Sequence, residues 1–181
     1  MKNEVDGRRE IASRNTAWAN IIARKLTHWG VTPNQISMMS VFFAMVGCLL
    51  LIGTVIYPGF NKYVAYILFI VCMQSRLLCN LFDGMVAIEG GKKSANGDLY
   101  NDMPDRFADA LFIIPVGYVA GGFGIELGWL AALLAVMTAY FRWIGAYKTH
   151  QHFFNGPMAK QHRMALLTLT FVVATCTIYS G

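Results

Sequence analysis

The sequence predicts an all-α integral membrane protein, a polytopic bundle of transmembrane helices with an amphipathic surface helix at its N-terminus. Three observations carry that reading. The 181 residues are 56% hydrophobic and only 14% charged, more apolar side chain than a soluble domain of this length can bury. The apolar residues fall into runs of about 20, each able to cross a ~30 Å hydrocarbon layer. Lys and Arg collect in alternate connections between those runs, as positive charge does when it stays cytoplasmic. The runs must be helical, because lipid offers nothing to hydrogen-bond an open backbone.

Residues 1–34 form a cytoplasmic N-terminal segment, and 35–181 form the transmembrane domain. Within the first, residues 11–29 place Trp18, Ile22, Lys25/Leu26 and Trp29 at helical spacing, with Arg14 and Arg24 around them. That pattern suits a helix lying on the cytoplasmic leaflet or, alternatively, one packed on protein. The segment is charged and broken, unlike a signal peptide. Gly30 ends the helix, and Thr32-Pro33-Asn34 starts the first span. The expected spans are 37–57, 63–82, 104–122, 127–147 and 164–180, with a turn at Gly121-Gly122-Phe123-Gly124.

Six basic residues precede the first span (Lys2, Arg8, Arg9, Arg14, Arg24, Lys25). Lys92 and Lys93 lie between spans two and three, and Arg142, Lys148, Lys160 and Arg163 between spans four and five. The N-terminus and the loops 83–103 and 148–163 therefore face the cytoplasm of a multi-pass protein in the cell (inner) membrane. The net charge of +5 reads as topology and contact with anionic membrane lipid, not as a nucleic-acid footprint. Cys48, Cys72, Cys79 and Cys176 lack metal-like spacing and fall within spans, as buried inert thiols do.

Asp83, Glu89, Asp98, Asp102, Asp105 and Asp109 are six of the ten acidic residues in the chain. Asn80 and Asp83 share a face at the end of span two, and Gly97, Asn101, Asp105 and Asp109 recur every fourth residue into span three. Carboxylate and amide oxygens collected this way suit a hard divalent cation, and without one they repel each other. Gly84 and Gly97 leave room for a ligand to approach closely. Carboxylates, glycines and a metal together suit a pyrophosphate-bearing substrate. Arg76, inside span two, either reaches this cluster or snorkels to the headgroups. His150 and His152 read as a solvated loop rather than a metal pair.

The stretch from Asn80 to Asp105 resembles the CDP-alcohol phosphotransferases, whose signature is Asp-x2-Asp-Gly-x2-Ala-Arg-x8-Gly-x3-Asp-x3-Asp. It falls on Asn80, Asp83, Gly84, Ala87, Ile88, Gly97, Asn101 and Asp105 with every spacing kept. Asn80 and Asn101 stand where the family has Asp, and Ile88 where it has Arg. A rival register ending on Asn101, Asp105 and Asp109 needs an insertion and loses the glycine.

The resemblance implies a phosphatidyltransferase of phospholipid biosynthesis. A CDP-activated lipid such as CDP-diacylglycerol would give its phosphatidyl group to an alcohol acceptor, and CMP would leave. It implies a Mg2+ (or Mn2+) site at Asn80, Asp83, Asn101 and Asp105, with Asp105 also the catalytic base. The CDP moiety would lie on Asn80, Asp83, Gly84, Ala87 and Gly97. Arg142, Lys160 and Arg163 become candidates for the acceptor, although topogenic charge explains them equally well. A homodimer is expected, as are six spans. Only five runs are present, so the chain reads as truncated at its C-terminus or as a five-span variant. Two rivals stay open. One is a catalytically impaired homologue that binds nucleotide-lipid or a membrane partner. The other is a transporter, disfavoured because the polar residues sit at one membrane face and not at the midplane.

Overall fold

The computed structural model describes residues 16–89, 97–149 and 160–180. These form six helices and no strand: α1 Ala17–His28, α2 Pro33–Ile56, α3 Lys62–Glu89, α4 Gly97–Ala120, α5 Gly124–Thr149 and α6 Lys160–Ser180. Local sequence sets the helix ends. After α1, the Trp29 and Gly30 amides bond back to the Lys25 and Thr27 carbonyls. Gly30 takes φ 74°, which costs glycine nothing. Thr32 then opens α2 with a capping box: its hydroxyl accepts from the Gln35 amide at 3.3 Å. Gln35 Oε1 in turn accepts from the Thr32 amide at 2.9 Å, and Pro33 fills the first helical position.

α1 packs on α3 through its small face. Ala19 and Ala23 are fully buried, and Trp18 meets Phe82 edge-on at 6.1 Å between centroids. Ile21, Ile22 and Trp29 stay exposed, so the helix uses alanines against protein and leaves its bulky stripe free. Residues 11–15 of the expected helix lie outside the described part.

The centre of the bundle is aromatic. Phe69 of α3 contacts Phe112 of α4 and Phe171 of α6, at 5.5 and 4.6 Å between centroids, surrounded by Ala44, Met73, Ala108 and Met164. Gly47 of α2 admits this cluster, since a β-carbon there would sit 2.8 Å from the Phe112 ring. Cys72 is buried, and Cys48 and Cys79 partly so. Cys176, expected to be buried, is exposed on α6, which belongs to the rim of the bundle.

Four helices are long and apolar enough to cross a membrane: α2, most of α3, α5 as far as Phe141, and α6 from Gln161. α4 has 24 residues, but Asp105, Arg106 and Asp109 interrupt its apolar run. The expected third span therefore exists as a helix of spanning length whose buried Asp109 faces protein. The loop expected at 83–103 is corrected too. α3 continues to Glu89 and α4 already starts at Gly97, so helical structure carries most of the acidic cluster. Side-chain polarity ends an apolar run without ending a helix, because the backbone ladder continues past it.

α4 and α5 form an antiparallel hairpin turned by Gly121 and Gly122, both at positive φ. Their backbones nearly touch at Gly117 and Gly128. A β-carbon on Gly117 would lie 2.5 Å from the Gly124 carbonyl oxygen and 3.0 Å from the Gly128 α-carbon. Gly117→Val should therefore force the hairpin apart and lower stability by ~1–3 kcal/mol, the usual cost of overpacking. Gly145→Ala, where a β-carbon meets nothing within 4 Å among the described residues, should be neutral or mildly stabilising. Thermal unfolding of both variants in detergent checks the pair, and equal midpoints would refute the close approach.

Candidate functional site

Helical spacing puts Arg76, Asn80, Asp83, Gly84 and Ala87 along one side of the last turns of α3. Asp105 and Asp109 lie one turn apart on α4. α2 supplies two serines that the sequence reading passed over, three residues apart in its first turns. Ser37 Oγ donates to Asp83 Oδ2 at 3.3 Å, and Ser40 Oγ donates to Asn80 Oδ1 at 3.5 Å. Both distances are at the long end for hydroxyl donors, so each serine holds its partner loosely. Their signal was present in "QISMMS": two hydroxyls at helical spacing inside an apolar span need partners. Asp83 and Gly84 are buried, and Ala87 is partly buried.

Arg76 does not snorkel. It is fully buried, and its Nη2 faces α4. From there it donates to Asp109 Oδ1 at 2.7 Å and to the Asp105 carbonyl at 3.1 Å. It also lies 3.4 Å from Asp105 Oδ1. Asp109 is bridged a second time, its Oδ2 accepting from Arg163 Nη2 of α6 at 2.8 Å. Arg76, Asp109 and Arg163 thus form a chain of alternating charge that ties α3, α4 and α6 together. Lipid surroundings tolerate such charges only when they are paired in this way. The side chain of Asp105 is 29% exposed and that of Asp109 only 9%. Asp109 has both oxygens engaged by guanidinium groups, whereas Asp105 is the more exposed of the two.

Gly97 and Asn101 belong to the first turns of α4, but the Asn101 side chain lies outside the described residues. The same is true of the side chains of Arg142 and Lys160. The side chains of Glu89, Asp98, Asp102 and Lys148 also lie outside the described residues, as do Lys92, Lys93, His150 and His152 entirely. Among the described residues no three His, Cys, Asp or Glu side chains group as a metal centre.

The donor chemistry nonetheless fits a hard cation. Asn80, Asp83 and Asp105 offer only oxygen ligands. Asn80 Nδ2 is buried and lacks a partner among the described residues. Rotating that amide by half a turn lets Nδ2 donate to Ser40 and presents Oδ1 at the unsatisfied position. A cation there would satisfy an oxygen where the amide nitrogen finds no acceptor.

An apolar cavity of about 360 Å³ between α1, α2 and α3 is lined by Leu26, Val31, Ile36, Met39, Phe43 and Leu78, among others. None of the candidate site residues lines it.

A family model described as CDP-alcohol phosphatidyltransferase matches residues 30–180. The match begins at the glycine that ends α1 and takes in α2 to α6 with every candidate site residue. No curated protein matches the chain.

The charge chain makes a prediction that concerns the fold alone. Asp109→Ala removes the buried carboxylate that two guanidinium groups share and should cost ~3–5 kcal/mol, as breaking a buried pair does. Asp105→Ala, at a partly exposed position, should cost far less. Thermal unfolding in detergent separates them, and an Asp109→Ala midpoint equal to that of the wild type would exclude a structural role for the chain of charges.

Proposed function

The chain belongs to the CDP-alcohol phosphatidyltransferase family, transferases of substituted phosphate groups, and from that premise we propose its substrates and the work of its residues. The donor is a CDP-activated lipid of the CDP-diacylglycerol type. The acceptor is an alcohol, and the products are a phospholipid and CMP. Asp105 is the base: its carboxylate takes the hydroxyl proton as the alcohol oxygen bonds to the lipid-side phosphorus. The bond from that phosphorus to the bridging oxygen breaks, and CMP departs with the electron pair. The single observation that supports Asp105 in this role is the division of labour on α4. The Asp109 side chain is 9% exposed with each oxygen bonded to an arginine, while that of Asp105, one turn away, is 29% exposed and so within reach of a hydroxyl. The same division supports the motif register that ends on Asp105 over the one that ends on Asp109.

Asn80, Asp83, Asn101 and Asp105 are the residues that would hold Mg2+ or Mn2+, which when bound neutralises developing charge on the phosphates. Gly84, Ala87 and Gly97, lacking bulk, would let the CDP moiety approach the helix backbones. Arg142, Lys160 and Arg163 are the acceptor candidates. Of these Arg163 also donates through Nη2 to Asp109. The site would face the cytoplasm, with Trp18, Ile22 and Trp29 of α1 resting in the adjacent leaflet. The protein would work as a homodimer in the cell (inner) membrane.

Purified protein given CDP-diacylglycerol and a panel of polyols, amino alcohols and phosphorylated alcohols should release CMP. Chelation should abolish release and added Mg2+ or Mn2+ should restore it. Asp105→Asn should lower turnover by two or more orders of magnitude, since it removes the base outright. Its unfolding midpoint should stay near that of the wild type. Near-wild-type turnover by Asp105→Asn with metal supplied would rule the base assignment out, and CMP release indifferent to chelation would rule out the metal.

A further inference from the structure

We propose that Arg76 is a positioning residue for the transfer reaction, holding the Asp105 carboxylate in its working orientation from inside the second membrane span. The proposal rests on the reading of Asp105 as the base. It starts from an atom count at one nitrogen. Arg76 Nη2 is within reach of three oxygens, Asp109 Oδ1, the Asp105 carbonyl and Asp105 Oδ1, at 2.7, 3.1 and 3.4 Å. Its Nε and Nη1, both buried, have no partner among the described residues. The donation converges at one point between the two carboxylates of α4.

The geometry assigns the two aspartates different tasks. Asp109, with the shorter bond to Arg76 and a second bond to Arg163 at 2.8 Å, fixes where the guanidinium sits. Asp105 is then held through both its main-chain oxygen and its side chain, which sets the rotation of α4 and the direction of the carboxylate together. The 3.4 Å contact steers Oδ1 more weakly than the 2.7 Å bond holds Asp109. Arg76 also answers a question raised by the sequence. Ile88 stands where the family has Arg, which removes a cation from the end of α3. Arg76, three turns earlier, brings a buried cation back against the acidic positions from the opposite end of the motif.

The test separates position from stability with two variants of the full chain. Arg76→Met alone would leave Asp109 with Arg163 as its cation and its Oδ1 buried without the Arg76 donor, and is expected to lower stability strongly. Arg76→Met with Asp109→Asn removes one buried charge of each sign and leaves Arg163 an amide oxygen to bond. Arg76→Lys keeps a cation opposite Asp109, but its side chain is one bond shorter and its ammonium falls short of the position from which Nη2 reaches both carboxylates. CMP release from CDP-diacylglycerol with saturating Mg2+ should give kcat in the order wild type, Arg76→Lys, double variant. The last should be down ~10²-fold, as expected for misplacing a reacting group by about an ångström. KM for CDP-diacylglycerol should be unchanged, because Asn80 and Asp83 are untouched.

A folded double variant with wild-type kcat would overturn the proposal. So would Arg76→Lys with wild-type kcat and only a lowered unfolding midpoint, which decides the matter if the double variant fails to fold. Failure of the underlying reading looks different. In that case Asp105→Asn, run in parallel, turns over like the wild type or the wild type releases no CMP, and the positioning role falls with it.

Discussion

A guanidinium inside a membrane-spanning helix must be neutralised by something other than water, and most of this site follows from how Arg76 is neutralised. Its partners come from one face of α4, so α4 has to carry carboxylates where an ordinary span would carry leucine. Those carboxylates have to face α3, which fixes the rotation of α4 and its height against α3. Asp109 then needs its second oxygen satisfied, and Arg163 of α6 does that at 2.8 Å. Three helices are thereby registered by one alternating chain of charge. The pairing adds little to stability in itself, since burying both ions costs about what their attraction returns. Its effect is to make other packings of the same helices expensive, because each would strand a charge.

The aromatic cluster below complements this constraint. Phe69, Phe112 and Phe171 occupy α3, α4 and α6, the same three helices that the charges join. Phe69 lies two turns before Arg76, and Phe112 less than a turn after Asp109. Apolar contact brings the helices together without specifying their register strongly, whereas the ion pairs are intolerant of a slip by even one residue. Asn80 and Asp83 lie one and two turns beyond Arg76 on the same side of α3. Ser37 and Ser40 brace that side from α2.

Much of this was legible before any coordinates, for identifiable physical reasons. Apolar runs of spanning length give the number and order of long helices, and the Thr32-Pro33-x-Gln35 cap marks the start of α2. The spacing of Asn80 and Asp83 puts them on one side of α3, where Ser40 and Ser37 meet them. Other features were not legible. The loop assigned to 83–103 is largely helix, because the apolar pattern reports where lipid ends and not where hydrogen bonding ends. Arg76 allowed two readings, because an isolated sequence shows a charge but not its partner on another helix. Asp109 looked like a neighbour of the site, and its two arginines come from positions 33 residues before it and 54 after it. The serines of α2 were missed because small hydroxyls in apolar helices usually bond their own backbone, as Thr168, Thr170 and Thr175 do here.

Asn80 and Asn101 leave Asp83 and Asp105 as the charged members of the four motif positions. Each amide in place of a carboxylate removes an attraction worth on the order of a few kcal/mol at an effective dielectric of ~20. A cation site of this kind depends on negative charge brought by the substrate, so metal and nucleotide should bind as a pair. Titration of Mn2+ into the purified protein, followed by the loss of its free-ion paramagnetic resonance signal with and without CDP, measures this directly. The account predicts weak binding alone, clear tightening with CDP, and loss of both in Asp83→Asn with Asp105→Asn. Binding that is indifferent to CDP, or that survives the loss of both carboxylates, would contradict it.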